Sequence, residues 1–272
     1  MIRLATIGTS AITEKFLSAI ALDNRYVYSA VYSRSLDMGS AFAKKYGIDT
    51  VFTDLNELSR CENIDAVYIA SPNRFHYEQS RLMLENGKNV ICEKPITTTA
   101  KEYQQLFKIA RKNGLVYMEA IMPCYTPARD IILKALKDIG RITSATMSYC
   151  QRSSRLDDFK KGLDVNIFNM SLAAGTLMDL GVYCVYGAVD LFGKPKNIIA
   201  KASFLENGAD GAGNAIFEYD DFNCSLIYCK TGNSVLGSEI IGEDGTIKIS
   251  YIYQARFPKK SFFSILLQTI SL

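Results

Sequence analysis

The chain has 272 residues, is 48% hydrophobic and 22% charged, and carries a formal net charge of +3. That balance describes a folded protein with room for two cores and offers no basic footprint for nucleic acid. Seven cysteines without a C-x-x-C pair suggest free thiols in a reducing, cytoplasmic setting, and a single histidine argues against His-ligated metal, so no metal site is expected. No signal-type segment precedes the first strand pattern, and no apolar run reaches the ~20 residues of a membrane span, so no membrane partner is expected.

Strand patterns fall at 2–7, 27–32, 50–52, 66–70, 89–92 and 115–118, separated by helical patterns at 11–22, 36–46, 55–60, 77–85 and 100–112. Gly47, Gly87 and Gly114 follow helices where a left-handed C′ residue belongs, and Thr99 with Glu102 forms a capping box. Short apolar strands alternating with helices imply a parallel sheet covered on both faces.

The pattern then changes. Thr126-Pro127 opens a helix expected to run to Ile139, where Gly140 stops it. Residues 151–164 are polar and read as a long loop; its Arg152, Arg155 and Lys160 either close over a polyhydroxyl or anionic ligand or are simply solvated. A helix is expected at 175–192, then strands at 198–204, 215–219, 223–230, 239–242 and 246–251. Asp220-Asp221 and Glu243-Asp244-Gly245 are turn signals between neighbours, so this sheet should be mainly antiparallel. The fold expected is α/β: a doubly wound parallel domain over 1–120, and an α+β domain with an open sheet over 121–272. The apolar run at 261–267 reads either as a closing strand or as the mark of a truncated or frame-shifted reading frame.

The turn after the first strand, Gly8-Thr9-Ser10-Ala11-Ile12-Thr13, matches the Gly-x-Gly-x-x-Gly template only at Gly8. It still supplies a tight turn, a small residue at Ser10 and a helix N-terminus suited to a pyrophosphate, although an ordinary strand–helix turn would look the same. The second strand ends in Ser33-Arg34, a hydroxyl and a planar fork suited to a ribose 2′-phosphate, which favours NADP; the nearby Asp37 keeps NAD possible. Ser71, Pro72 and Asn73 end the fourth strand at the same edge. His76 either approaches the nicotinamide half or only caps the helix that follows it.

The fifth strand runs into Glu93-Lys94-Pro95, placing a cation where open α/β sheets bind ligands. In the second half, Asp179 and Tyr183 lie four residues apart on one helical face. The plain alternative is a buried tyrosine hydrogen-bonded to an aspartate. Hydride transfer at a carbinol carbon needs a matched proton transfer at oxygen, and tyrosine titrates near ~10. A lysine ammonium beside it favours the phenolate, which makes Tyr183 as acid/base, Lys94 as its electrostatic partner and Asp179 as orienting group a coherent set.

Five segments stand in the order of a known family: Ile7-Gly8-Thr9-Ser10; Tyr32-Ser33-Arg34; Ser71-Pro72-Asn73 with His76; residues 87–95 ending in Glu93-Lys94-Pro95; and residues 177–183 ending in Tyr183. Over about residues 1–252 the chain resembles the Gfo/Idh/MocA oxidoreductases. Tyr183, where many members carry His, points to the branch of dimeric dihydrodiol dehydrogenase, NADP-xylose dehydrogenase and glucose–fructose oxidoreductase. The resemblance implies a Rossmann domain holding NADP through Gly8, Thr9, Ser10, Ala11, Ile12, Ser33, Arg34, Ser71, Pro72, Asn73, His76, Glu93 and Lys94. It implies a sugar, polyol or vicinal diol substrate, Lys94 and Tyr183 as the catalytic pair, and a homodimer or higher oligomer through the second sheet. Two departures stand out: Ser10 in place of the second glycine, and a carboxyl end shorter than in relatives. A non-catalytic NAD(P)-binding protein or an inactive truncated member is the alternative.

Overall fold

The structure, a computed structural model, describes residues 1–249. The run at 261–267 and the end of the strand read at 246–251 lie outside the described residues. The chain divides into two compact units, the first Met1–Ala120 and the second beginning at Ile121.

In the first unit, β1 (Ile2–Ile7), β2 (Tyr26–Tyr32), β3 (Val51–Phe52), β4 (Ala66–Ile69), β5 (Asn89–Glu93) and β6 (Tyr117–Ala120) pair in parallel in the order β3-β2-β1-β4-β5-β6. The helices α1 (Ala11–Ile20), α2 (Leu36–Tyr46), α3 (Leu55–Arg60), α4 (His76–Glu85) and α5 (Ala100–Asn113) connect them. The reversal of strand order beside β1 makes this a doubly wound sheet, whose ligands bind beyond the carboxyl ends of the strands. Val67, Ile69, Val90 and Cys92 pack with Met83 and Leu84 of α4 and Leu106 of α5, while Leu17, Val31 and Phe42 build a separate cluster with α1 and α2. Each such buried side chain contributes ~1.5–3 kcal/mol, which explains why the strands are almost wholly apolar. Thr99 and Glu102 form the expected capping box, and Gly47 and Gly114 close α2 and α5 in left-handed geometry. The last strand lies two residues later than its apolar pattern suggests, because Asn89 Oδ1 accepts from Val116 N (2.9 Å) and pins the chain before pairing begins.

In the second unit, α6 (Pro127–Ala135), β7 (Ile142–Cys150), α7 (Leu156–Lys160), α8 (Val182–Phe192), β8 (Asn197–Phe204), β9 (Asp210–Glu218), β10 (Asn223–Cys229), β11 (Ser238–Gly242) and β12 (Thr246–Ile249) follow in chain order. The sheet runs β12-β11-β7-β10-β9-β8, antiparallel throughout except where β7 lies parallel to β10. Sequence reasoning missed β7, although its nine residues carry the inward Ala145 and Met147. Its serines and threonines lie among the remaining positions and mask the alternation.

Three further expectations are corrected. The helix opened by Pro127 ends at Ala135, not Ile139; tighter turns from Lys137 N to Lys134 O (3.1 Å) and Asp138 N to Ala135 O (3.0 Å) fold Ile139 into the core. The stretch 151–164 contains α7, because Leu156 joins Phe168 and Val165 in a small core of its own. The helix read at 175–192 begins with a π-turn, Leu177–Gly181, before α8. Met170–Phe192 is long and apolar enough to cross a membrane by length and composition, but its backbone breaks at Ala173 (φ 54°) and Gly175 (φ 138°), and Cys184 and Ala188 lie in the sheet's core.

Candidate active site

In the first unit, the carboxyl ends of β1, β2, β4 and β5 gather most of the expected cofactor residues. Gly8 leaves β1 at φ +110°, and a Cβ there would stand 2.9 Å from the carbonyl oxygen of Ala70 at the end of β4. Only glycine allows this approach. Ser10 takes the N-cap position of α1 in extended geometry without a side-chain cap bond, so the N–H groups of Ala11, Ile12 and Thr13 are not spent on its hydroxyl. An uncapped helix N-terminus behind a glycine turn is a cradle for a phosphate, which fits the dinucleotide that this sheet topology implies.

Ser33 and Arg34 close β2. Ser33 is 9% exposed and its Oγ accepts from Ser35 N (3.3 Å), so its hydroxyl also shapes the turn into α2; Arg34 is exposed. Ser71, Pro72 and Asn73 follow β4, with Ser71 Oγ donating to Gln79 (2.6 Å). Glu93 and Lys94 end β5, where the Tyr68 hydroxyl donates to Glu93 Oε1 (2.5 Å) and the ring of Tyr68 stacks on Phe16 of α1 at 3.8 Å. Helix α1 and strand β5 are thereby registered through one buried tyrosine.

His76 joins two loops at this edge of the sheet. It is fully buried, with Nδ1 2.8 Å from Pro95 O and Nε2 2.8 Å from Ser71 O. Burial pushes its pKa down, against the two carbonyls, each of which favours a ring proton. The ring ties the loop after β4 to the Glu93-Lys94-Pro95 loop. Replacing it by phenylalanine removes the ring from the buried Pro95 carbonyl and the part-buried Ser71 carbonyl, costs about 1–3 kcal/mol for the one that loses its donor, and is expected to lower the melting temperature by roughly 3–10 °C in a thermal scan.

In the second unit, Asp179 lies in the π-turn and Tyr183 opens α8. The carboxylate of Asp210 holds the entry to this helix, accepting from Thr176 N (3.0 Å) and Leu177 N (2.6 Å), while Thr176 Oγ1 donates to Asp210 O (2.7 Å). Burial raises the pKa of Asp210, against these donors. A Cβ on Gly181 would lie 3.0 Å from the Tyr228 ring, so the chain passes over that ring in a wide turn, a device frequent at functional sites. The ring of Tyr183 packs at 5.5 Å and 58° against Tyr149, the register partner of Tyr228 on β7. Asp179 forms an ion pair with Lys230, which is 5% exposed.

Sequence reasoning gave no role to Lys230, Asp210 or Tyr149. The signal for Lys230 was present: Cys224, Leu226 and Tyr228 alternate inward on β10, and the same period carries residue 230 to that face. Asp210 and Tyr149 lie far from residues 177–183 in the chain, and no local pattern links them.

A doubly wound sheet with a glycine turn into an uncapped helix, followed by a mixed sheet that carries an Asp/Tyr helix, defines a nucleotide-dependent oxidoreductase of two-unit type. The chain belongs to the Gfo/Idh/MocA oxidoreductases: residues 2–121 match the model for the oxidoreductase family with NAD-binding Rossmann fold, and residues 132–248 match the GFO/IDH/MocA C-terminal domain. It is 44% identical over 254 residues to scyllo-inositol 2-dehydrogenase (NADP(+)) IolU of Bacillus subtilis, covering 93% of this chain and 77% of that protein. It is 40% identical over 256 residues to the uncharacterized oxidoreductase YgjR of Escherichia coli, covering 94% and 78%. Among solved structures, KijD10, a 3-ketoreductase from Actinomadura kijaniata crystallised with NADP and TDP-benzene, superposes with a TM-score of 0.85 at 24% identity, covering 93% and 77%.

Proposed function

We propose that this protein oxidises a secondary alcohol of a polyol, sugar or vicinal diol, or reduces the matching ketone, with NADP(H) as cofactor. The observation that carries the reading is the Gly8 turn into the uncapped α1, within a chain 44% identical to an NADP-linked inositol dehydrogenase. Residues 8–12 would hold the pyrophosphate, and Ser33 with the exposed Arg34 would meet a 2′-phosphate, which supports NADP over NAD. The bound nicotinamide would supply the hydride acceptor or donor. What remains for this chain is to move a proton at the carbinol oxygen, and we assign that proton to the hydroxyl of Tyr183. Lys94 serves as the cation that favours its phenolate, and Asp179 orients the substrate. A homodimer through the second sheet belongs to the same proposal, supported by β8, whose Ile198, Ile199 and Phe204 are all more than half exposed.

The test is reduction of NADP⁺ and NAD⁺, followed at 340 nm, across scyllo- and myo-inositol, aldoses and trans-diols. Turnover of at least one polyol is expected, with kcat/KM at least tenfold higher for NADP⁺. Stoichiometric NADPH binding without turnover on any of them would replace this reading by that of a non-catalytic nucleotide-binding protein.

A further inference from the structure

Building on the roles assigned to Tyr183 and Asp179, we propose that Lys230 is a positioning residue for the same reaction, fixing the Asp179 carboxylate that meets a substrate hydroxyl. The ion pair is lopsided: the Lys230 side chain is 6% exposed, whereas that of Asp179 is 29% exposed. A surface salt bridge offers both partners to water. Here the cation is buried and the carboxylate partly exposed, so the anion is the more accessible partner.

The base of this arrangement is rigid. Lys230 N donates to Gly211 O (2.9 Å), and Lys230 O accepts from Ser153 N (2.8 Å), which fixes the backbone on both sides of the residue. Gly211 follows Asp210, whose carboxylate caps the helix at Thr176 and Leu177. One corner of β9 therefore holds both the lysine that pairs with Asp179 and the helix that carries Asp179. The π-turn and the Tyr149–Tyr183 contact then place Tyr183 one turn further along the same framework.

A buried ammonium is costly to desolvate, and its partner anion recovers that cost only in a close, fixed geometry. Such a carboxylate is held still, as an acceptor for a hydroxyl beside the reacting carbon must be. An alcohol with hydroxyls on neighbouring carbons supplies that group. A simple alcohol does not, so the arrangement ties the site to polyols and vicinal diols.

The experiment compares the full-length wild type with K230M, D179N and D179N/K230M, using scyllo-inositol and NADP⁺, or the best polyol from the screen. K230M is expected to lower kcat at least tenfold, with the KM for NADP⁺ and the fluorescence-measured affinity for NADPH within twofold of wild type. Because Lys230 acts through Asp179, D179N/K230M should be no slower than D179N alone. K230M with kcat within twofold of wild type overturns the assignment, since a merely structural lysine changes the melting temperature and leaves kcat in place below it. If K230M fails to fold, the double variant decides: removing both charges spares the fold an unpaired ion, and a further tenfold loss beyond D179N overturns the assignment. Wild type that turns over no polyol overturns both this inference and the function on which it rests; an active wild type with an unaffected K230M overturns the inference alone.

Discussion

Replacement of Tyr183 by phenylalanine is expected to reduce kcat by about 10²- to 10⁴-fold, the usual contribution of a positioned acid/base group. The substitution removes one oxygen and leaves the ring, which packs on Tyr149 at 5.5 Å, so the fold around it should persist. Residue 183 lies outside residues 2–121, which match the NAD-binding fold, so NADPH affinity by fluorescence titration should stay within twofold. Steady-state rates on the best polyol, measured beside that titration, separate the two quantities. Turnover within fivefold of wild type would remove Tyr183 from the chemistry and leave its hydroxyl a packing role. A parallel loss of turnover and NADPH affinity would point instead to a disturbed fold.

Gly8→Ala is the second large effect, and it acts on the nucleotide. At φ +110° an L-residue is strained by about 1–3 kcal/mol, before any contact is counted. The new methyl would also stand 2.9 Å from Ala70 O and 3.2 Å from Ala70 C, which are backbone atoms without a rotamer to yield. The neighbouring Ser71 carbonyl is held by His76 at 2.8 Å, so the end of β4 cannot drift away cheaply. Together these are expected to cost about 2–4 kcal/mol and lower the melting temperature by roughly 5–10 °C. On the proposed placement of the pyrophosphate at residues 8–12, the displaced backbone would form the floor of its cradle, and NADPH affinity should weaken at least tenfold. Calorimetry and fluorescence titration measure the two effects, and an unchanged NADPH affinity would move the pyrophosphate elsewhere.

The two units differ in how far their sequence exposes their structure. In the first, the strands are largely apolar because both faces are covered, and two helices carry their own end signals: the Thr99/Glu102 box starts α5, and Gly47 and Gly114 close α2 and α5 where the pattern places them. These are local features with local causes, so the element order and the parallel sheet were legible. His76 was not. Its position beside Ser71 suggested a cofactor contact or a cap, but its partner Pro95 is 19 residues away, and only the folded chain closes that distance.

In the second unit, Asp220-Asp221 and Glu243-Asp244-Gly245 mark hairpins correctly, and a mainly antiparallel sheet follows from them. The parallel pairing of β7 with β10 joins residues about 80 apart in sequence, such as Tyr149 with Tyr228, and no turn signal announces such a pairing. The Asp179/Tyr183 motif could be read from its spacing, and the alternation of β10 carries Lys230 inward, but the pairing of Lys230 with Asp179 could not be read, because the two sit 51 residues apart on different elements.

By itself, then, the sequence determined the element order of the first unit, its parallel sheet, the glycine turn and the family segments, because periodicity, capping and turn chemistry act within a few residues. Tertiary structure alone decided which carbonyls spend His76, which carboxylate caps the Asp/Tyr helix, and that Lys230 pairs with Asp179. Those pairings depend on which distant strands share a face, and a buried charge reveals its partner only when the chain has closed around it.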